Sequence, residues 1–451
     1  MNRKYSVSQY DDNSIIKNRN LTNFILLALA LLGSQRFLLP NISSLICIIP
    51  FALSLFYIRS NKKLSLTYLI ISLFLSVDNG VGAYYETNFI LRYSIYILVL
   101  YYLFSGYKIR ENSIIIILSF IIFLLFLTFF NVDLIDNDTF KRDIFLLFLF
   151  TIIFTRSSRT LNDIDVNLTY LRNFFLFFLG FELINILLFY DVGYDYLSYD
   201  STKSLIVLPL IYLVIYGRTM ATTVVFILTL WVMIAYTTRM IFVSLFLALF
   251  IYSIKIIIKK QYFILYLFFI AIIIFLFGSI DLSSLNLEGH KATNMLYLLL
   301  NNSSPIELLQ GLDKGRFFEN KLFFDQNIFN ILFGNGLGSG IFDKSGLLNF
   351  IGYNDTAFSA KELDSKYFYS FHDVWIDIGL RFGLVFVLGI LMYLILNIMD
   401  KQQNITFYAF LLIILMLCQF FSTAGLLMIS IFSLLLRAEV YRNRKGATYV
   451  K

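Results

Sequence analysis

His372 lies where a polar stretch of the chain meets an apolar one, a position suited to acid–base chemistry at a boundary with water. An imidazole with an ordinary pKa of about 6.5 can take a proton from a hydroxyl group near neutral pH. The competing interpretation is an interfacial histidine at a helix end, beside the aromatic-belt residue Trp375. Arg381 follows nine residues later, about 180° around a continuous helix. The two residues would therefore share a site only if the helix begins after His372.

Arg239 ends a very short polar turn, Thr237-Thr238-Arg239, between two apolar runs. Backbone N–H groups at the start of a helix, together with a guanidinium group, are typical of a diphosphate site. The alternative is an arginine that extends to lipid headgroups. Arg92, near the end of another apolar run, gives a weaker form of the same argument, because a desolvated arginine needs a partner or a ligand.

Alternating glycines follow a basic segment in the polar stretch. Residues 312–319 include Arg316, and residues 333–340 include Gly334, Gly336 and Gly338. Glycine adopts backbone conformations that are closed to other residues, and such a loop can bring N–H groups close to an anion. A set of simple turns is the alternative interpretation.

The elements that must position these residues are predicted from composition. Of the 451 residues, 59% are hydrophobic and 14% are charged, and only 4 are prolines. Such a chain cannot cover a soluble globule with a polar shell. About fourteen apolar runs approach the length that spans a bilayer. The sequence therefore predicts an all-α polytopic integral membrane protein with about 12–14 transmembrane helices.

The distribution of cations predicts the orientation of these helices. With the N-terminus inside, cytoplasmic segments hold more than half of the 36 basic residues. This topology accounts for the net charge of +7, so the charge does not indicate a nucleic-acid partner. We predict three parts: a bundle of about 11 spans over residues 1–280, a large outer loop over 281–371, and three spans with a cytoplasmic tail over 372–451.

Several chemistries lack their usual motifs. The chain has no Walker-type Gly-Lys-Thr, no His-Glu-x-x-His and no Gly-x-Ser-x-Gly segment. Cys47 and Cys418 both lie in apolar segments, where neither a disulfide nor a metal site is expected. We therefore expect no metal and no cofactor.

Taken together, the motifs resemble those of the O-antigen polymerase (Wzy) and O-antigen ligase family of bacterial membrane glycosyltransferases. The resemblance covers residues 225–437: a Thr-Arg turn beginning a helix, an outer loop with Gly-Arg and then alternating glycines, a closing His-Asp, and three final spans. The family's helix-start arginine corresponds to Arg239, its loop arginine to Arg316 and its loop-closing histidine to His372. Many relatives have asparagine after that histidine, whereas this chain has Asp373, which is thus a second candidate for the base.

This resemblance implies a GT-C-like fold and a metal-independent glycosyl transfer in lipopolysaccharide biosynthesis. The implied donor is a glycan linked to undecaprenyl diphosphate, and the leaving diphosphate would be bound by Arg239 and Arg316, with Arg92 as a third candidate. The implied location is the bacterial inner membrane, with the large loop and the active site facing the periplasm. Expected partners are lipid-linked glycans, membrane lipids and a chain-length regulator protein.

Polymerase and ligase differ in the acceptor, which is another lipid-linked repeat unit or the sugar core of lipid A. The spans ahead of the shared region exceed the usual ligase plan, which favours a polymerase. A lipid-linked oligosaccharide flippase is the alternative from another class. Transporters usually carry ionisable residues along a path within the spans, whereas this chain concentrates its polar residues in one outer loop.

Overall fold

The computed structural model describes residues 8–35, 45–76, 89–105, 111–131, 135–155, 164–189, 314–348, 360–369, 371 and 374–389, with single residues and short pieces at 209–228, 358 and 427–438. The chain divides into two compact units. Unit 1 comprises Met1–Tyr102 and Asp163–Tyr236, and unit 2 comprises Leu103–Asn162 and Thr237–Lys451. The predicted three-part division at residues 280 and 371 stays a prediction.

Helices dominate the described residues. In chain order the elements are α1 (Ser8–Ser34), α2 (Ile48–Tyr57), α3 (Lys62–Leu75), α4 (Phe89–Phe104), α5 (Glu111–Phe130), α6 (Asn137–Thr155), α7 (Leu168–Phe189), α8 (Lys314–Phe324), α9 (Ile328–Phe333), β1 (Ile341–Phe342), α10 (Ala360–Ser365), β2 (Tyr367–Phe368) and α11 (Val374–Phe382). Within the ranges described, we find no helix whose length and apolar character together suffice to cross a bilayer.

Unit 1 contains α1 to α3, most of α4, and α7. The side-chain oxygen of Asn61 accepts a hydrogen bond from the N–H of Leu64 at 3.1 Å and so caps the start of α3. Buried hydroxyls join α2 to α3, because Ser54 donates to the carbonyl of Ser65 at 2.9 Å and Ser65 donates to the carbonyl of Ser54 at 2.6 Å. On the same helix as Ser65, Phe74 packs edge-on against three rings of α7: Phe174, Phe175 and Phe178.

Unit 2 contains α5, α6 and the described part of the large polar stretch. Here α8, the strands and α11 share a buried apolar cluster: Leu322, Phe323, Ile341, Leu348, Phe358, Phe368, Phe371, Ile376 and Leu380. Phe323 of α8 is fully buried and lies against α11, where a Cβ added at Gly379 would be 3.3 Å from its ring. The small residue on α11 thus lets the two helices approach closely.

The prediction of a mostly helical chain is confirmed. The exception is a two-stranded antiparallel ladder in which Ile341 lies opposite Phe368 and Phe342 lies opposite Tyr367. Residues 281–371 were predicted as a loop without assigned elements. Their described part forms three short helices and this ladder around an apolar core. The number of transmembrane spans stays a prediction.

Candidate functional site

The predicted site residues fall into three groups. His372, Asp373 and Arg239 lie outside the described residues, as does the side chain of Arg316, whose backbone belongs to the first turn of α8. Arg92 lies in unit 1, in the first turn of α4, with a partly buried side chain. The loop glycines are described in full and lie in unit 2.

The three loop glycines each have a positive φ: +83° at Gly334, +92° at Gly336 and +72° at Gly338. This region is costly for residues with a Cβ. Neighbouring backbone also fills the space that a side chain would need. A Cβ at Gly334 would lie 2.3 Å from the carbonyl oxygen of Arg381, and one at Gly336 would lie 2.6 Å from the amide nitrogen of Thr128. Conformation and close approach therefore both require glycine.

The amides of these glycines are bonded to protein groups. Gly334 donates to the carbonyl of Asn330 at 2.8 Å, and Gly336 donates to the carbonyl of Arg381 at 3.2 Å. Gly338 donates to Oδ2 of Asp143 at 2.7 Å. The anion that the glycine loop meets is thus a carboxylate of the protein itself.

The glycine loop also lies against the connection between α5 and α6. The hydroxyl of Thr128 accepts from the N–H of Leu337 at 2.9 Å, and Asp136 donates its N–H to the carbonyl of Gly338 at 3.0 Å. A β-bridge pairs Ile135 with Ser339. Two segments separated by about two hundred residues in sequence therefore form one structure.

At the centre of this structure is Arg381, whose side chain is fully buried. Its Nε lies 2.7 Å from Oδ2 of Asp143, and its Nη1 lies 2.7 Å from Oδ1 of Asp377. Both carboxylates are fully buried as well. A buried arginine is tolerated only with such partners, because an uncompensated charge in the interior costs several kcal/mol. The planar guanidinium group reaches both carboxylates at ion-pair distance, and its Nη1 also donates to the backbone carbonyl of Asp377 at 2.5 Å.

Arg142 adds a second cation at the edge of this cluster, with 21% of its side chain exposed. Its Nη2 lies 3.3 Å from Oδ2 of Asp377, and its Nε lies 3.8 Å from Oδ1 of Asp143. Burial lowers the pKa of Arg142, while the two carboxylates act in the opposite direction. An arginine stays protonated in proteins, and the carboxyl groups of Asp143 and Asp377 lie against both guanidinium groups. Because these partners are groups of the protein itself, the cluster is a structural network.

The network also holds the chain just before His372. Nη2 of Arg381 donates to the carbonyl of Tyr369, and Oδ1 of Asp377 accepts the N–H of Phe371 at 3.1 Å. On the opposite side, the N–H of Tyr369 donates to Oε1 of Glu362 at 2.9 Å. The residues that lead into His372 are thus bound to α10 and α11.

Helix α11 is described from Val374 onward. His372 and Asp373 lie outside the described residues, so the angular relation between His372 and Arg381 stays a prediction. The described contacts are those of residues 369 and 371, with Arg381 and Asp377.

Sequence reasoning did not assign a role to Asp143, Asp377, Arg142 or Arg381. One signal was present: Asp377 and Arg381 are four residues apart within an apolar run, a spacing that places them on one face of a helix. Charged residues in such runs are rare and usually paired. The partners Arg142 and Asp143 carry no comparable signal, because a contact between residues so far apart in sequence leaves no local pattern.

Among the described residues, no group of three or more His, Cys, Asp or Glu side chains is placed to hold a metal ion. The expectation of a metal-independent reaction stays a prediction. The chain matches no protein-family model, no curated protein and no solved structure.

Proposed function

We propose that this protein is a membrane glycosyltransferase that polymerises O-antigen repeat units linked to undecaprenyl diphosphate, at the periplasmic face of the bacterial inner membrane. One observation carries the proposal: the described part of the large loop folds onto residues 128–143 and ends, firmly bonded, at the residue before His372. A loop that only connected two helices would not need a buried charge network at its end.

The contacts also support the proposed topology. The distribution of cations assigns both the connection around residues 131–142 and the large loop to the outer side of the membrane. These two segments are in contact, through the bridge of Ile135 with Ser339 and the ion pair of Lys361 with Asp136 at 3.3 Å. Segments on opposite sides of a bilayer could not meet in this way.

In the proposed reaction, a hydroxyl of the acceptor sugar attacks the anomeric carbon of the donor, and undecaprenyl diphosphate leaves. A single displacement inverts the configuration at that carbon. His372 or Asp373 accepts the proton of the attacking hydroxyl. The bond to the diphosphate oxygen breaks with its electron pair, so negative charge develops on the leaving group. Fixed cations at that position would stabilise the transition state.

The contacts of Arg381 indicate whether it is available to bind the leaving diphosphate. Arg381 has no exposed surface, and both of its carboxylate partners are within 2.7 Å. Arg381 therefore forms ion pairs within the protein and is not available to bind the diphosphate. The leaving diphosphate is assigned to Arg239 and Arg316, as the family resemblance implies.

The deciding experiment uses the purified full-length protein in nanodiscs with lipid-linked repeat units alone. We expect wild type to form lipid-linked oligomers. The variant Arg239→Ala should lose about 2–4 kcal/mol of transition-state stabilisation, by analogy with the removal of one oxyanion donor. Lys141→Ala is the control, because Lys141 makes only an exposed ion pair with Asp138.

Each outcome of this experiment has a distinct meaning. Products that form only when the sugar core of lipid A is supplied would identify a ligase. Transport of the lipid-linked glycan across the bilayer without a new glycosidic bond would refute the proposal in favour of a flippase. A wild-type rate in Arg239→Ala would refute the role assigned to that residue.

A further inference from the structure

We propose that the short helix α9 and the exposed face of α5 form one surface that contacts lipid, so that residues 328–333 of the large loop lie within the outer leaflet of the membrane. The partner of this surface is the acyl-chain region of the lipids. The inference rests on the membrane location in the proposed function. It goes further by placing in the bilayer a part of the loop that the distribution of cations assigns to the outer side.

The depth of α9 follows from contacts along α5. The chain after α9 runs towards the end of α5 and beyond it, through three contacts in order: Phe333 with Phe123, Gly336 with Thr128, and Ser339 with Ile135. Seven residues separate Phe123 from Phe130, the last residue of α5. At a rise of about 1.5 Å for each residue, the end of α9 therefore lies about 10 Å below the outer end of that helix.

The two faces of α9 have different surroundings. Ile331 packs against the buried apolar cluster, and the ring centroid of Phe333 lies 5.9 Å from that of Phe123. Ile328 and Leu332 are four residues apart, so they share a face of the helix, and both are exposed. Protein contacts thus hold one face of α9 and leave an apolar face open.

The composition of this open surface favours acyl chains as its partner. Residues 326–342 and 112–132 contain no charged side chain. The large apolar side chains that α9 and the last two turns of α5 expose are Leu125, Phe126, Phe129, Phe130, Ile328, Phe329 and Leu332. Contact with water would be unfavourable for a patch of this kind. A protein partner is less suited to it, because protein interfaces usually include a polar rim.

The irregular backbone beside α9 meets the condition that the interior of a membrane sets. Hydrocarbon offers no hydrogen-bond partner, so non-helical backbone is tolerated there only where the protein buries and satisfies it. Residues 334–340 are buried throughout. The N–H groups that donate to other groups of the protein belong to Gly334, Asn335, Gly336, Leu337 and Gly338. The glycine loop is therefore compatible with a position beside acyl chains.

The test is quenching of tryptophan fluorescence by phosphatidylcholine that is brominated on its acyl chains, in nanodiscs that contain the full-length protein. In a background with Trp231→Phe and Trp375→Phe, Phe329→Trp places the probe on the exposed part of α9. Phe342→Trp is the matched control, because Phe342 is also exposed but lies on β1, beyond the contact of Ser339 with Ile135. We expect emission to fall at least about twofold for Phe329→Trp and by less than about one fifth for Phe342→Trp. Equal quenching at the two positions would overturn the inference.

A second measurement keeps both tryptophans. In a background with Cys47→Ala and Cys418→Ala, the variants Ile328→Cys and Phe342→Cys are labelled with a membrane-impermeant maleimide. Ile328 is 72% exposed and Phe342 is 46% exposed, so exposure alone predicts faster labelling at position 328. We expect the reverse by at least about tenfold, because a thiol among acyl chains does not form the reactive thiolate. Labelling of Ile328→Cys as fast as that of Phe342→Cys would refute the contact with lipid.

These outcomes separate the inference from the proposed function. Quenching of Phe329→Trp in a protein that makes no lipid-linked oligomers would retain the lipid surface and refute the glycosyl transfer. Oligomers made by a protein without such quenching would retain the transfer and refute the lipid surface. A disulfide-linked dimer of Ile328→Cys, together with absent quenching, would assign the surface to a second copy of this chain and so overturn the inference.

Discussion

Replacing Gly336 by alanine tests whether the glycine loop is held as tightly as its contacts indicate. The residue has a φ of +92°, and an added Cβ would lie 2.6 Å from the amide nitrogen and 2.7 Å from the Cα of Thr128. Both obstacles are backbone atoms of α5, which cannot turn aside as a flexible side chain can. The substitution must therefore strain the loop or displace it from α5.

The magnitude follows from two separate costs. A left-handed backbone conformation costs about 1–2 kcal/mol for a residue with a Cβ. Overpacking against a fixed neighbour adds about 1–3 kcal/mol. We therefore expect Gly336→Ala to lower the free energy of unfolding by about 2–5 kcal/mol. At roughly 2–4 °C for each kcal/mol, the apparent melting temperature should fall by about 4–20 °C.

The assay is thermal unfolding of the purified protein, followed by the loss of the monodisperse chromatographic peak. Gly389→Ala is the matched control, because an added Cβ there meets no atom within 4 Å. In a helical position that change should be neutral or stabilising by up to about 1 kcal/mol. Equal melting temperatures for Gly336→Ala and Gly389→Ala would refute the close approach of the loop to Thr128.

Three further predictions concern unit 2. Asp143→Ala removes one of the two carboxylates beside the buried Arg381 and should lower the free energy of unfolding by about 3–5 kcal/mol in denaturant titrations. Phe323→Ala empties a fully buried position and should cost about 3–5 kcal/mol of stability. Limited proteolysis should therefore cut the large loop faster in this variant than in wild type. Burial of Asp136 favours its neutral form, but hydrogen bonds from Thr139 and the charge of Lys361 outweigh this effect, so the pKa of Asp136 is lowered. A lowered pKa stabilises the folded protein above the ordinary value near 3.9. The stability difference between wild type and Asp136→Asn, which can still cap α6, should therefore be constant above about pH 5 and shrink as the pH falls below that value.

The glycines illustrate how far a sequence pattern leads. Alternating glycines permit backbone conformations that are closed to other residues, and Gly334, Gly336 and Gly338 adopt positive φ values. The pattern left open what their amides would meet. Asp143, one of those partners, lies 195 residues away in sequence, and no local feature of the loop points to it.

The charge network shows the same limit. The four-residue spacing of Asp377 and Arg381 was visible in the sequence. The sequence assigned no role to Arg142 or Asp143, because their role depends on a contact with α11. Arg239, His372 and Asp373 lie outside the described residues, so their roles rest on the resemblance and on the chemistry of their side chains.

Hydropathy and composition by themselves predicted a mostly helical chain whose polar residues concentrate in one segment, because apolar runs of about bilayer length favour helices. The tertiary structure alone decided that this segment folds around Phe323, pairs Ile341 with Phe368, and connects to α6 and α11 through Arg381. The physical reason is that a buried arginine needs carboxylates from wherever the fold can supply them. Here they come from residues 143 and 377, which only the folded chain brings together.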